Sequence, residues 1–214
     1  MRAFCSWSGG KDCALALWRA RAAGHQVVSL LNFVDEEGRR SRSHGIASEL
    51  IRAQAAAAGI PLLQRATSWG AYEQNFKDAV LELKAQGVEA GIFGDIDIVE
   101  HREWVESTCA ALGIVALLPL WQEKPYSLLQ EFLDLGFRAV IVSTRLERAW
   151  LGRELSQELA REVEARGSHP LGENGEYHTF VIAGPFFRHQ LRISHRQVWQ
   201  KDGHWFLDLA LSRE

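Results

Sequence analysis

The chain has 214 residues, of which 47% are hydrophobic and 24% charged, a balance suited to folded globular proteins and far from that of disordered ones. A formal net charge of -3 argues against a broad electrostatic surface for nucleic acid, although a local basic patch is compatible with it. Cys5, Cys13 and Cys109 form no C-x-x-C pair and suggest neither a disulfide framework nor a zinc knuckle; with no apolar leader after Met1 and no run near the roughly 18 apolar residues of a membrane span, a reducing cytoplasm is the expected setting.

From the start to about residue 118, short β-rich runs alternate with helical patterns, the signature of a parallel α/β sheet. Strands are expected at residues 3–7, 26–34, 61–65, 90–94 and 114–118. Most are nearly continuous apolar runs, as strands covered on both faces should be. Between the third and fourth, Tyr72, Phe76, Ala79, Val80 and Leu83 recur at helical spacing and draw one apolar stripe. Leu50, Ile51 and Gln54 mark a second crossover helix, and Val105, Cys109 and Leu112 a third, so Cys109 reads as packing.

Past Pro119 the pattern continues with a helix near residues 127–135, a strand at 139–143 and a helix at 153–166. Beyond Gly167 the helical periods cease. Residues 181–182, 190–200 and 205–211 read as strands, the last two joined by a turn at Lys201-Asp202-Gly203. The expected architecture is a Rossmann-like five-stranded parallel sheet over residues 1–118 with a smaller C-terminal α+β unit over 119–214, and a cleft between them.

The strongest local signal is Ser6-Trp7-Ser8-Gly9-Gly10-Lys11-Asp12-Cys13, which follows the first strand and opens the helix through Ala14, Leu17 and Trp18. Two glycines let a backbone turn tightly near an anion, serine hydroxyls donate, and a helix N-terminus presents N–H groups and positive dipole. Lys11 adds a point charge. The run is not a Walker A loop, which needs glycine at Cys5 and a hydroxyl at Asp12, and there is no G-x-G-x-x-G. Read bare, it is equally a plain strand-to-helix turn with Asp12 near the helix start.

Ser8-Gly9-Gly10-Lys11-Asp12 resembles the S-G-G-x-D-[ST] PP-loop of N-type ATP pyrophosphatases, and the chain as a whole resembles the diphthine-ammonia ligase family. Its further marks are His44-Gly45-Ile46, Gln54 with Gly59-Ile60-Pro61-Leu62, Gly94-Asp95-Ile96, Pro119-Leu120-Trp121, Trp150-Leu151-Gly152-Arg153 and residues 172–180, Gly172-Glu173-Asn174-Gly175-Glu176-Tyr177-His178-Thr179-Phe180. The resemblance implies an adenine nucleotide alpha-hydrolase-like sheet and a ligase that adenylates a carboxylate with ATP, releases pyrophosphate, and lets ammonia displace AMP to give an amide. Two departures stand out. Cys13 replaces the small hydroxyl residue that ends the loop, and residues 94–102 differ from the diphthamide branch, which opens the identity of the acceptor.

The resemblance places ATP on Ser6, Ser8, Gly9, Gly10, Lys11, Asp12, Cys13, His44, Gly94 and Asp95, with Mg²⁺ on Asp12 and Asp95. Both carboxylates follow parallel strands, where open α/β sheets bind ligands; alone, each also reads as a helix-start charge or cap. Lys11 and Asp12 are the expected catalytic residues of the loop, joined by Glu176 and His178 downstream. Glu173, Glu176, His178 and Thr179 crowd a glycine-containing loop that looks built to touch substrate, with Arg153 added from the basic cluster around Trp150; an ordinary solvated hairpin loop is the plainer account. His178 is a candidate base toward ammonia.

The expected partners are ATP, ammonium and a carboxylate acceptor, which is diphthine on elongation factor 2 or, in a bacterium, a small metabolite; a homodimer is also compatible. A nucleotide-sensing or ATP-hydrolysing protein without ligase activity is the alternative, mildly favoured by Cys13. A tRNA-thiolating enzyme ranks last, because neither a catalytic cysteine set nor a basic surface is evident.

Overall fold

In a computed structural model, residues 1–42 and 44–212 are described. The first half alternates β1 (Arg2–Ser6), α1 (Lys11–Ala22), β2 (Gln26–Val34), α2 (Ser48–Ala58), β3 (Leu62–Ala66), α3 (Tyr72–Ala85), β4 (Ala90–Ile92), α4 (Val99–Ala111) and β5 (Val115–Leu117). The five strands form one parallel sheet in the order β3-β2-β1-β4-β5, as the alternation of short apolar runs and helical stripes predicts. The chain winds outward from β1 through β2 to β3, then returns to the other side of β1 as β4. The gap between the carboxyl ends of β1 and β4 is therefore the switch point at which open sheets of this kind bind ligands.

Both faces of the sheet are covered, which explains why its strands carry almost no polar alternation. One face holds Phe4, Leu31 and Phe33 against Phe76, Val80 and Leu83 of α3 and Val105 and Cys109 of α4. The opposite face packs on α1 and α2, and that core runs on without interruption into the second half of the chain.

The second half comprises α5 (Pro125–Asp134), β6 (Arg138–Thr144), a 3-10 turn at Arg148–Trp150, α6 (Gln157–Glu164), β7 (Tyr177–Ala183), β8 (Ile193–Lys201) and β9 (His204–Leu211). Its four strands form an antiparallel sheet in the order β7-β6-β9-β8. The strand expected at 139–143 is an inner strand of this second sheet. The helix expected from residue 153 starts later, at Gln157. Residues 153–155 are drawn into backbone bonding with β6, Ile141 N–H donating to Arg153 O (2.9 Å) and Leu155 N–H to Ala139 O (2.8 Å), and the Ser156 hydroxyl then caps the helix by accepting from Leu159 N–H. At the β8–β9 turn Asp202 and Gly203 both have positive φ, 50° and 78°, the twist a tight hairpin requires. Among the described residues no helix is long and apolar enough to cross a membrane.

The two sheets meet at the turn between β1 and α1. Val181 N–H of β7 donates to Gly9 O (2.9 Å), and Lys11 N–H donates to Thr179 Oγ1 (3.0 Å). The fully buried carboxamide of Gln54 on α2 completes the joint. Its nitrogen donates to Gly9 O (2.9 Å) and Val181 O (2.7 Å), and its oxygen accepts from Trp7 Nε1 (3.0 Å). Replacing Gln54 by leucine, similar in volume, orphans one buried donor and removes a partner from two buried carbonyls. At about 1–3 kcal/mol for a group left wholly unpaired, and less for carbonyls that keep another partner, Gln54→Leu is expected to lower unfolding free energy by about 3 kcal/mol in urea titrations. A loss below about 1 kcal/mol would show that the joint does not depend on this amide.

Candidate active site

A cleft with about 250 Å³ of free space opens at the switch point, lined by Ser6, Ser8, Asp12, Cys13, His44, Gly94, Asp95, His101, Gly172, Glu173 and His178. Ser6 and Ser8 come from the end of β1, Asp12 and Cys13 from the first turn of α1, and Gly94 and Asp95 from the end of β4. The opposite wall, with Gly172, Glu173 and His178, belongs to the loop before β7 and to β7 itself. Gly94 has to be glycine for a steric reason. A Cβ there would lie 2.8 Å from the Asp12 carbonyl carbon and 2.9 Å from Cys13 N, forcing the start of α1 away from β4.

The glycines of the turn also admit neighbouring protein at close range. Gly9 has φ of +88°, and a Cβ on it would meet Ile51 Cδ1 at 2.6 Å and Gln54 Oε1 at 2.8 Å; one on Gly10 would meet His44 Cε1 at 2.5 Å. What they admit at close range is α2 and the His44 loop. Lys11 is 6% exposed, and its ammonium pairs with Asp12 Oδ2 (2.8 Å) beneath the Tyr177 ring, 5.4 Å to its centroid. The cation therefore reaches the cleft through the carboxylate it holds in the wall. The Cys13 thiol is buried and held neutral, burial pushing its pKa up. It donates to Gly10 O (3.1 Å), and the Ser8 hydroxyl donates to it (3.5 Å), so the residue ties the turn together from within.

Three carboxylates and three imidazoles shape the electrostatics. Burial, together with the charge of Asp12, pushes Glu173 up to about 7, although Ile96 N–H donates to it at 2.9 Å. Asp95 pairs with His101 at 3.2 Å, and that hydrogen bond raises the His101 pKa. His44 and His178 stack with ring centroids 4.4 Å apart. Burial pushes His44 down to about 4 and His178 well below the ordinary histidine range, so both rings are neutral at physiological pH.

Several expected site residues do other work. Thr179 is 1% exposed, and its hydroxyl accepts from Lys11 N–H, so it docks the turn on β7 and does not line the cleft. Glu176, 3% exposed, accepts from His169 N–H (3.1 Å) and Asn174 N–H (2.9 Å). Burial pushes its pKa up, but these amides outweigh burial and hold the carboxyl below its usual range. It shapes the loop that presents Glu173. Arg153 is turned outward in a two-pronged pair with Glu162 at 2.7 and 2.6 Å. Gln54 appeared in the sequence as a helix-face residue and as one mark of the resemblance, but not as a site residue, and a glutamine on an otherwise apolar stripe was the available signal. His169, which accepts from Leu171 and Glu173 N–H and faces Asp97, carried none.

A family model described as the diphthamide synthase N-terminal domain matches residues 1–116, and one described as the diphthamide synthase C-terminal domain matches residues 124–211. Among characterised relatives, the diphthine–ammonia ligase of Bos taurus is 27% identical over 100% of this chain and 90% of its own length, and that of Homo sapiens 27% identical over 92% and 85%. The diphthine–ammonia ligase of Schizosaccharomyces pombe is 27% identical over 89% of this chain, which spans 36% of that longer protein.

A carboxyl whose pKa is raised by folding stabilises the native state fully only below its unfolded value, and that contribution is lost as pH rises through the folded one. For Glu173 the window runs from about pH 4.5 to about 7. Glu173→Gln is therefore expected to match the parent in stability at pH 4.5 and to exceed it by about 3 kcal/mol at pH 8, since each pKa unit corresponds to about 1.4 kcal/mol. Paired denaturant titrations at the two pH values test this; an equal difference at both would mean that the carboxyl ionises freely in the cleft.

Proposed function

The chain belongs to the diphthamide synthase family, and from that membership we propose that it is an ATP-dependent ligase that joins ammonia to a substrate carboxylate, with diphthine as the acceptor. The reading rests on one observation above all. The turn from Ser6 to Cys13, the carboxylates Asp12 and Asp95, and the Glu173–His178 wall face a single cleft at the β1/β4 switch point. A nucleotide-binding turn alone would not need the second sheet; bringing an activated carboxylate and a nitrogen nucleophile together does.

In this reading ATP lies with its phosphates along Ser6, Ser8 and the first turn of α1, where hydroxyls and the positive end of the helix face the cleft. The acceptor carboxylate attacks the α-phosphorus, pyrophosphate leaves, and ammonia then attacks the acyl-adenylate and releases AMP. Positioning and charge neutralisation supply most of the catalysis of such a displacement. Among the described residues, no group of three His, Cys, Asp or Glu side chains stands ready to cage a metal. Magnesium is commonly held through one or two carboxylates together with substrate phosphates. Asp12 and Asp95 supply the carboxylates, and the ion when bound offsets the charge on the phosphates. Lys11 keeps the Asp12 carboxylate oriented, and Glu173, which burial and Asp12 keep half-protonated near neutral pH, sheds its proton as positive charge enters.

Phosphorus NMR of the protein with Mg-ATP, ammonium and diphthine-bearing elongation factor 2 is expected to show AMP and pyrophosphate, dependent on the acceptor. Asp12→Ala should lower pyrophosphate release at least about 100-fold. ADP and phosphate as products would instead make the protein a hydrolase. A host metabolite extract in place of elongation factor 2 identifies a small-molecule acceptor if the protein is inert.

A further inference from the structure

His44 offers one nitrogen to the protein and keeps the other for chemistry. Its Nδ1 lies 3.1 Å from Thr179 O, a carbonyl that only accepts, so Nδ1 carries the proton and Nε2 carries the lone pair. The ring is fixed on every side that matters: Thr179 on β7 holds one edge, the His178 ring stacks on one face, and Gly10 approaches so closely that a Cβ there would stand 2.5 Å from His44 Cε1. His44 thus lines the cleft in one tautomer and one orientation, beside the turn that holds the phosphates. Second-partner hydrogen bonds of this kind are how proteins set which imidazole nitrogen acts as base. His178, by contrast, makes no hydrogen bond that fixes its tautomer among the described residues, and its main fixed contact is the stack itself.

Resting on the ligase reading above, we propose that His44 Nε2 is the proton acceptor of the amide-forming half-reaction, with His178 as its stacking support. Ammonia's lone pair forms the C–N bond to the acyl-adenylate carbon. The nitrogen of the adduct then carries a positive charge, and one of its protons passes to His44 Nε2. The C–O bond to AMP breaks, AMP leaves with that electron pair, and the imidazolium returns its proton to solvent. No oxidant or reductant enters. Burial and nearby Lys11 keep the ring neutral with its Nε2 lone pair free, and the phosphate charge of a bound adenylate beside it raises its basicity toward the range a general base needs.

The test separates the two half-reactions. His44→Gln keeps a side-chain amide to donate to Thr179 O but has no basic nitrogen; His178→Phe keeps the stack and removes the second imidazole. With wild-type protein first shown to make AMP, pyrophosphate and amide from its acceptor, His44→Gln should retain acceptor-dependent pyrophosphate–ATP exchange within about 3-fold. It should lose amide formation from ammonia by about 100-fold or more, the range a positioned general base supplies. Hydroxylamine, whose adduct sheds its proton more readily, should restore product formation in His44→Gln as a hydroxamate. His178→Phe, which alters the support but leaves the base in place, should lower amide formation by far less than His44→Gln does. The proposal is overturned if His44→Gln still makes amide at the parental rate, if it loses exchange as well, if hydroxylamine gives no rescue, or if His178→Phe is the variant that fails. Absence of exchange and amide in the wild type would instead remove the ligase reading itself.

Discussion

One carboxamide holds the active-site turn where it is. The Gln54 side chain, sealed from solvent on α2, satisfies all three of its hydrogen-bonding commitments with groups from three different places: Trp7 at the end of β1, Gly9 in the turn, and Val181 on β7. A buried amide left partly unpaired is costly, so each of the three must be present for the others to be tolerated. The consequence is mutual. The turn adopts the left-handed conformation at Gly9 because α2 and β7 grip its carbonyl, and the second sheet docks on the first because that carbonyl and the Lys11 amide are its partners. A cleft between sheets is only as rigid as this seam.

The seam also divides the cleft into two electrostatic halves. On the side of β1 and β4 stand Asp12 and Asp95, each already paired, with Lys11 and His101 respectively. Glu173 reaches them from the opposite wall on an amide from Ile96, and it is the carboxyl that burial and neighbouring negative charge make hardest to ionise. On the side of β7, two imidazoles lie face to face where charge is disfavoured, next to a buried ammonium. A polyanion brought in with a cation suits the first half, whereas a neutral nitrogen nucleophile and a proton acceptor suit the second. The loop from His169 to Glu176 keeps the halves at a set distance, since Glu176 and His169 satisfy its backbone amides internally and leave Glu173 to face the cleft.

The parallel sheet was legible to within two residues at each strand end, because apolar runs such as 26–34 and the stripe Tyr72, Phe76, Val80, Leu83 obey periods set by local geometry. The antiparallel sheet was read less well. Its inner strand β6 has the same apolar character as a parallel one, and pairing partners are decided by contacts far away in sequence. Among the site residues, those that follow a parallel strand, such as Asp12, Asp95 and Gly94, could be placed at the cleft from sequence, since open α/β sheets bind ligands beyond the carboxyl ends of their strands. Glu176, Thr179 and Arg153 shared the same motif neighbourhoods yet face the loop, the turn and Glu162. Residue type and spacing do not say which way a loop side chain points.

By itself, then, the sequence determined the alternation of strands and helices, the place of the glycine-rich turn after β1, and a resemblance specific enough to name a family, because these depend on local periodicity and on short runs of residues. Only the tertiary structure decided that Gly9 and Gly10 are small enough to admit α2 and His44, that the buried Lys11 ammonium pairs with Asp12, and that His44 turns its Nδ1 to the Thr179 carbonyl. The first and last of these are contacts between segments separated by tens to well over a hundred residues, and the Lys11–Asp12 pair, though adjacent in sequence, takes its orientation from the same burial beneath Tyr177, which removes the water that would otherwise satisfy these groups.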